Sequence, residues 1–240
     1  MANATPPPPP RLKLFVPAYW YPTTNRADDW TTTINNGSSH ISYMVLNPNS
    51  GPGTQRDPLY VDRVKKAQSV GIKVLVYVAT NYGARSLSAV TSEHLQYSDW
   101  YKVDGIFVDE VASNAGAVKY YQTLANFVRT QQHGNTIVIN PGTYPDELYM
   151  KVCDYVMAFE DSFKLYSIKS LTRLVPSWTK NYSPERFIHL AYDVPSTSLA
   201  DVMALAKKFG AGHVYFTNLA LNPHPYEHLP KYFSIEAGLA

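Results

Sequence analysis

The 240-residue chain is poor in cysteine, nearly balanced in charge and without a long apolar run. Each scarcity excludes a class of protein. Cys153 has no second thiol to pair with, so no internal disulfide staples the fold, and its place before an apolar run marks it as a buried thiol. The 21 Lys and Arg against 19 Asp and Glu leave a formal charge of +2. That is too weak a field to grip a polyanion, so nucleic acid is not expected as a partner. No stretch reaches the roughly 18 consecutive apolar residues of a membrane helix, so no membrane span is expected. Two motifs are also missing. Nothing reads G-x-G-x-x-G after the first strand-like run, which weakens a nucleotide-binding fold, and no G-x-S-x-G elbow supplies a serine nucleophile. His224 and His228 stand at helical i, i+4 spacing, but Pro225 and Pro230 sit around them and no third ligand follows, so no metal site is expected.

What is present is a chain with 45% hydrophobic residues, enough to bury one α/β barrel or two small domains. It opens with Pro6 to Pro10, which favours an extended polyproline tether, so residues 1–11 are expected to form a flexible proline-rich segment. That opening lacks the basic start and apolar stretch of a secretory signal and reads as a linker remnant. Asn-x-Ser/Thr sequons at Asn3, Asn36 and Asn181 are compatible with secretion.

Eight short β-rich runs follow, over 12–20, 41–47, 73–79, 105–111, 136–140, 155–160, 187–193 and 213–218. Between them, 57–69, 114–129 and 198–209 carry apolar residues at helical spacing, with start signals at Asp57-Pro58 and Ser196 to Ser198. Gly71 and Gly210 stand where C-terminal caps belong. Alternating strands and helices imply parallel strands, and eight of them with no internal linker predict one (β/α)8 TIM barrel over 12–240.

A barrel collects its chemistry at the C-terminal ends of its strands. Here those ends carry Tyr19-Trp20-Tyr21, Asn47-Pro48-Asn49, Thr80-Asn81-Tyr82, Asp109-Glu110, Asn140-Pro141-Gly142, Glu160-Asp161, Tyr192-Asp193 and Thr217-Asn218. Polar residues also mark any strand-to-loop transition, but amides, acids and aromatic rings at all eight ends are the kit of a sugar site: amides and acids bond hydroxyls, and rings lie against pyranose C–H faces. The groove residues predicted from this pattern are Tyr19, Trp20, Asn47, Tyr82, Asn140, Tyr192, Asp193 and Asn218.

Two strands end in acids. In Gly105-Ile-Phe-Val-Asp-Glu-Val111, Gly105, Phe107 and Asp109 share one face, which turns Asp109 toward the interior, and Glu110 reaches the mouth from the strand end. Adjacent like charges raise the pKa of one of them and make a proton donor. Tyr155-Val-Met-Ala-Phe-Glu160 ends in a second acid, two strands further round. Two carboxyl groups across a cleft suit glycosidic cleavage, one protonating the leaving oxygen and the other attacking or activating water. Asp109, Glu110 and Glu160 are therefore the candidate catalytic acids. A non-catalytic polysaccharide-binding protein on the same barrel is the competing class.

Several segments in order, Val16-Pro-Ala-Tyr-Trp-Tyr21, Val45-Leu-Asn-Pro-Asn-Ser-Gly-Pro-Gly53, Val76-Tyr-Val-Ala-Thr-Asn-Tyr-Gly83, Trp100-Tyr-Lys-Val-Asp-Gly-Ile-Phe-Val-Asp-Glu110, Asn140-Pro-Gly142 and Phe159-Glu160, resemble the spherulin-4-like family. This glycoside-hydrolase family includes fungal enzymes acting on galactosaminogalactan. The resemblance implies a (β/α)8 barrel that cleaves an α-1,4-linked polymer of galactosamine or N-acetylgalactosamine internally, without a cofactor. Its catalytic acids fall on Asp109, Glu110 and Glu160. Proton donation by Glu110 or Asp109 against Glu160 and attack by the substrate's own N-acetyl group, with Glu110 as acid, both remain open. A polysaccharide substrate, an extracellular or cell-surface location and a monomer are the remaining expectations.

Overall fold

A computed structural model describes residues 11–240 except 26, 38, 133 and 169–174. The expected segment over 1–11 therefore falls, apart from Arg11, outside the described residues. Eight parallel strands close into one barrel in sequence order: β1 (Lys13–Ala18), β2 (Ile41–Leu46), β3 (Lys73–Ala79), β4 (Gly105–Asp109), β5 (Thr136–Ile139), β6 (Tyr155–Ser162), β7 (Phe187–Tyr192) and β8 (His213–Phe216). β1 and β8 seal it, pairing Lys13 with His213 and Leu14 with Val214. The predicted (β/α)8 barrel is the observed fold.

Between the strands lie α1 (Asp29–Gly37), α2 (Pro58–Ser69), α3 (Leu87–Tyr101), α4 (Val118–Arg129), α5 (Phe163–Tyr166) and α6 (Leu199–Lys208), and α7 (Phe233–Leu239) follows β8. α2 starts where its sequence signal places it, with the Asp57 carboxylate accepting from the Leu59 N–H at 2.8 Å and Pro58 in the first turn. Gly71 and Gly210, at φ +87° and +80°, supply the left-handed residues that end α2 and α6.

Inward side chains fill the barrel. The Phe15 ring on β1 meets Phe107 on β4 at 5.7 Å, and Tyr43 on β2 meets Tyr155 on β6 at 5.2 Å, contacts between non-neighbouring strands that only the interior allows. The Tyr43 and Tyr155 hydroxyls pair at 2.9 Å, so these buried polar atoms are satisfied. This floor of rings closes the barrel below its C-terminal mouth.

Candidate active site

Asp109 closes β4 on the face of Phe107, as alternation predicts, and is half-buried at the mouth. The strand end is pinned by Thr80, just past β3, and by Tyr121 on α4. The Thr80 hydroxyl shares its proton between the carbonyl oxygens of Asp109 and Glu110, at 3.1 and 2.9 Å, and the Ala112 N–H donates to the Tyr121 hydroxyl at 3.0 Å. Gly105 at the start of β4 makes room for this register, because a Cβ there would fall on the carbonyl oxygen of Thr136.

Glu160 reaches the same mouth by an irregularity in its strand. Tyr155 faces the interior, so plain alternation would turn Glu160 outward. Between Met157 and Phe159 the pairing to β7 shifts: Met157 sits opposite Ile188, Phe159 opposite His189 and Glu160 opposite Leu190. Ala158 is the unpaired extra residue. The bulge sends Phe159 out onto His189 and Tyr166 and brings Glu160 in.

One side-chain amide joins the two acids. Asn140 Nδ2 donates to Asp109 Oδ1 at 2.8 Å and to Glu160 Oε2 at 2.6 Å, while its Oδ1 accepts from the Gly142 N–H at 2.9 Å. That last bond fixes which end of the amide faces the acids. Two acceptors on one amide nitrogen can be no further apart than about 5 Å. The other Glu160 oxygen, Oε1, accepts from the Tyr226 hydroxyl at 2.8 Å.

Burial raises both carboxyls above their ordinary range. For Asp109 that push is opposed by hydrogen bonds from Tyr77, the Glu110 N–H and Asn140, and the Glu110 charge adds a smaller upward effect. For Glu160 the Asp109 charge is the second upward cause, opposed by bonds from Asn140 and Tyr226. The expected pKa elevation thus falls on Asp109 chiefly through desolvation, and less through its neighbour in sequence.

Glu110 stands apart from this pair. At φ +51° its backbone turns left-handed, its side chain is exposed, and Oε2 accepts from the Asn81 N–H at 3.1 Å. The groove residues spread around the mouth. Tyr19 is half-buried, edge-on to Tyr77 at 5.7 Å and to Tyr226 at 5.8 Å, and its hydroxyl is pushed up by burial and then by the charges of Asp109 and Glu160. Tyr82 is 65% exposed on the rim. Asn47 is half-buried with no partner for its Oδ1 among the described residues. Tyr192 donates to Asp161 Oδ1 at 3.3 Å, and Asp193 and Asn218 are exposed.

Trp20 corrects the expectation. It is 5% exposed and packs into the core, with its carbonyl accepting from the Trp30 indole N–H at 3.0 Å, so it offers no stacking face to the groove. Consecutive residues in extended chain point to opposite sides, and Tyr19 takes the mouth. Tyr77 and Tyr226 are the site residues that sequence reading missed. Tyr77 could have been found by parity, since it shares the inward face of β3 and pairs with Phe107. Tyr226 lies in an irregular stretch between β8 and α7, where no pattern marks it.

Fold and site together define a closed (β/α)8 barrel with a carboxylate-lined mouth, a frame that glycoside hydrolases use. Residues 13–238 match the family described as Spherulation-specific family 4 (Spherulin4), and the chain belongs to that family. Spherulin-4 of Physarum polycephalum is 29% identical over 234 residues, covering 95% of this chain and 69% of that protein. Aspergillus clavatus Sph3, solved in complex with GalNAc, is 25% identical with a TM-score of 0.83, over 96% of this chain and 97% of that one. A chitinase from Chromobacterium violaceum shares the fold, at 10% identity and a TM-score of 0.61 over 94% of this chain and 98% of its own.

Proposed function

We propose that this protein is an endo-acting glycoside hydrolase that cleaves an α-1,4-linked galactosamine or N-acetylgalactosamine polymer, with Asp109 and Glu160 doing the chemistry. The observation that carries the reading is the Asn140 amide bridging the two half-buried carboxylates. Oxygens that share one amide nitrogen, and so lie within about 5 Å of each other, favour the roughly 5–5.5 Å carboxyl spacing of retaining glycosidases over the roughly 6.5–9.5 Å of an inverting pair. The GalNAc bound to Sph3 supports the sugar class.

Asp109 is the nucleophile in this scheme, because three donors stabilise its anion, and Glu160 keeps the one proton that the desolvated pair shares. The Glu160 proton passes to the glycosidic oxygen as the C1–O bond breaks and an Asp109 oxygen bonds to C1. Water then gives its proton to Glu160 and its oxygen to C1, releasing Asp109. Attack by an N-acetyl group does not suit an α linkage, since the ring it would form on C1 closes on the face from which the leaving oxygen departs. Tyr19, Tyr82 and Tyr192 offer rings and hydroxyls to successive sugars. Glu110, Asp193 and Asn218 contact sugar at the rim.

On this reading the protein works outside the cell or at its surface, as a monomer. The test is reducing-end release from a panel of polymers, galactosaminogalactan included. Wild type is expected to release ends, Glu160→Gln to lose at least about a thousandfold in kcat, and Glu110→Gln to lose less, mainly in KM. Binding without release from any polymer would make this a polysaccharide-binding protein instead.

A further inference from the structure

We infer that Tyr226 is a positioning residue that holds the acid–base carboxylate Glu160 through both of its protonation states. The inference rests on the reading of Glu160 as the group that gives and then takes a proton. Three observations support it. Tyr226 is 3% exposed, so its hydroxyl is out of bulk water and needs a partner within the protein. Its ring is walled in by Tyr19 at 5.8 Å and Tyr215 at 6.1 Å, and its N–H is tied to His224 Nδ1 at 3.1 Å, which fixes both ring and backbone. Its hydroxyl then meets Glu160 Oε1 at 2.8 Å, while the opposite oxygen is held by Asn140.

The two partners of Glu160 differ in kind. An amide N–H only donates, so Asn140 supports the carboxylate and contributes less to the acid. A phenolic hydroxyl both donates and accepts. When Glu160 is ionised, the Tyr226 O–H donates to Oε1; when Oε1 carries the proton, the phenolic oxygen accepts a hydrogen bond from it until the proton passes to the glycosidic oxygen. A group that cycles between acid and base in one turnover therefore keeps a hydrogen-bonded partner in each state, and the carboxyl does not swing as its proton comes and goes.

Tyr226→Phe tests this, because it keeps the ring and removes only the hydroxyl. Loss of a donor to the anion raises the pKa of Glu160. The expected result has three parts: Glu160, followed by the 13C shift of its carboxyl and assigned with Glu160→Gln, titrates at higher pH; the basic limb of kcat/KM moves up with it; and kcat falls about tenfold at nearly constant KM. Tyr232→Phe is the control. It removes another buried hydroxyl from the same stretch, one that donates to the Val194 carbonyl at 3.0 Å, and should leave the Glu160 titration in place. An unshifted Glu160 titration in Tyr226→Phe overturns the inference, whatever happens to stability. The titration needs no turnover, so it decides the role of Tyr226 even if the wild type cleaves no polymer, in which case the proposed function fails by itself.

Discussion

Asp109, Asn140 and Glu160 come from three different strands, and each was readable as a polar residue ending an apolar run. Their relation was not readable: which end of an amide faces two acids depends on the Gly142 N–H that holds its other end. Trp20 was misread because its place at the end of the first strand made it a stacking residue, whereas the position of Tyr19 in the mouth sends the next side chain into the core. A different buried acid has a consequence for stability. Glu236 on α7 is fully buried; its Oε1 accepts from the Phe216 N–H at 2.7 Å, and its Oε2 has no partner among the described residues. Burial holds its carboxyl protonated well above the ordinary 4.5. The unfolded chain releases this proton above about 4.5 while the folded protein keeps it, so the contribution is complete below that pH and drains away as pH rises toward the folded value. Urea unfolding between pH 4 and pH 8 should show wild type losing stability relative to Glu236→Gln by up to roughly 1.4 kcal/mol per pH unit in that window. Parallel curves for the two proteins would mean that Glu236 is charged in the fold.

The eight strands were legible because apolar β-rich runs with turn residues between them leave few alternatives, and α2, α4 and α6 because their apolar spacing is regular. The sequence reading did not identify α1 and α3. α1 carries three consecutive threonines, poor helix formers, and α3 buries His94, Tyr97 and Tyr101 along with Val90, so its inner face does not look apolar. The bulge in β6 was equally hidden, since a strand that reads Val-Met-Ala-Phe gives no sign of which residue will go unpaired. β4 depends on an absence of side chain. At Gly105 a Cβ would meet the Thr136 carbonyl oxygen and lie 2.9 Å from Leu75 Cδ2, with backbone on one side that cannot yield cheaply. Gly105→Ala should therefore lower unfolding free energy by about 3 kcal/mol, with the urea midpoint falling and the m-value unchanged. Wild-type stability in that variant would show that β4 and β5 can separate without cost, against the register seen here.

At the scale of the whole molecule, the formal charge of +2 conceals an asymmetry: the mouth gathers Asp109, Glu110, Glu160, Asp161 and Asp193. A near-neutral chain with an acidic mouth suits a sugar polymer, neutral or amine-bearing, and not a polyanion. The closed barrel makes this arrangement possible, because parallel strands deliver all their C-terminal ends to one face, and the interior below the paired acids is filled with rings. Under the proposed function, the closeness of Asp109 and Glu160 calls for two displacements at C1. The anomeric configuration of the first product is therefore the most direct measurement, taken by 1H NMR on an α-1,4-linked N-acetylgalactosamine oligomer before mutarotation. The account predicts that the α anomer appears first. The β anomer appearing first, or no product at all, would contradict it.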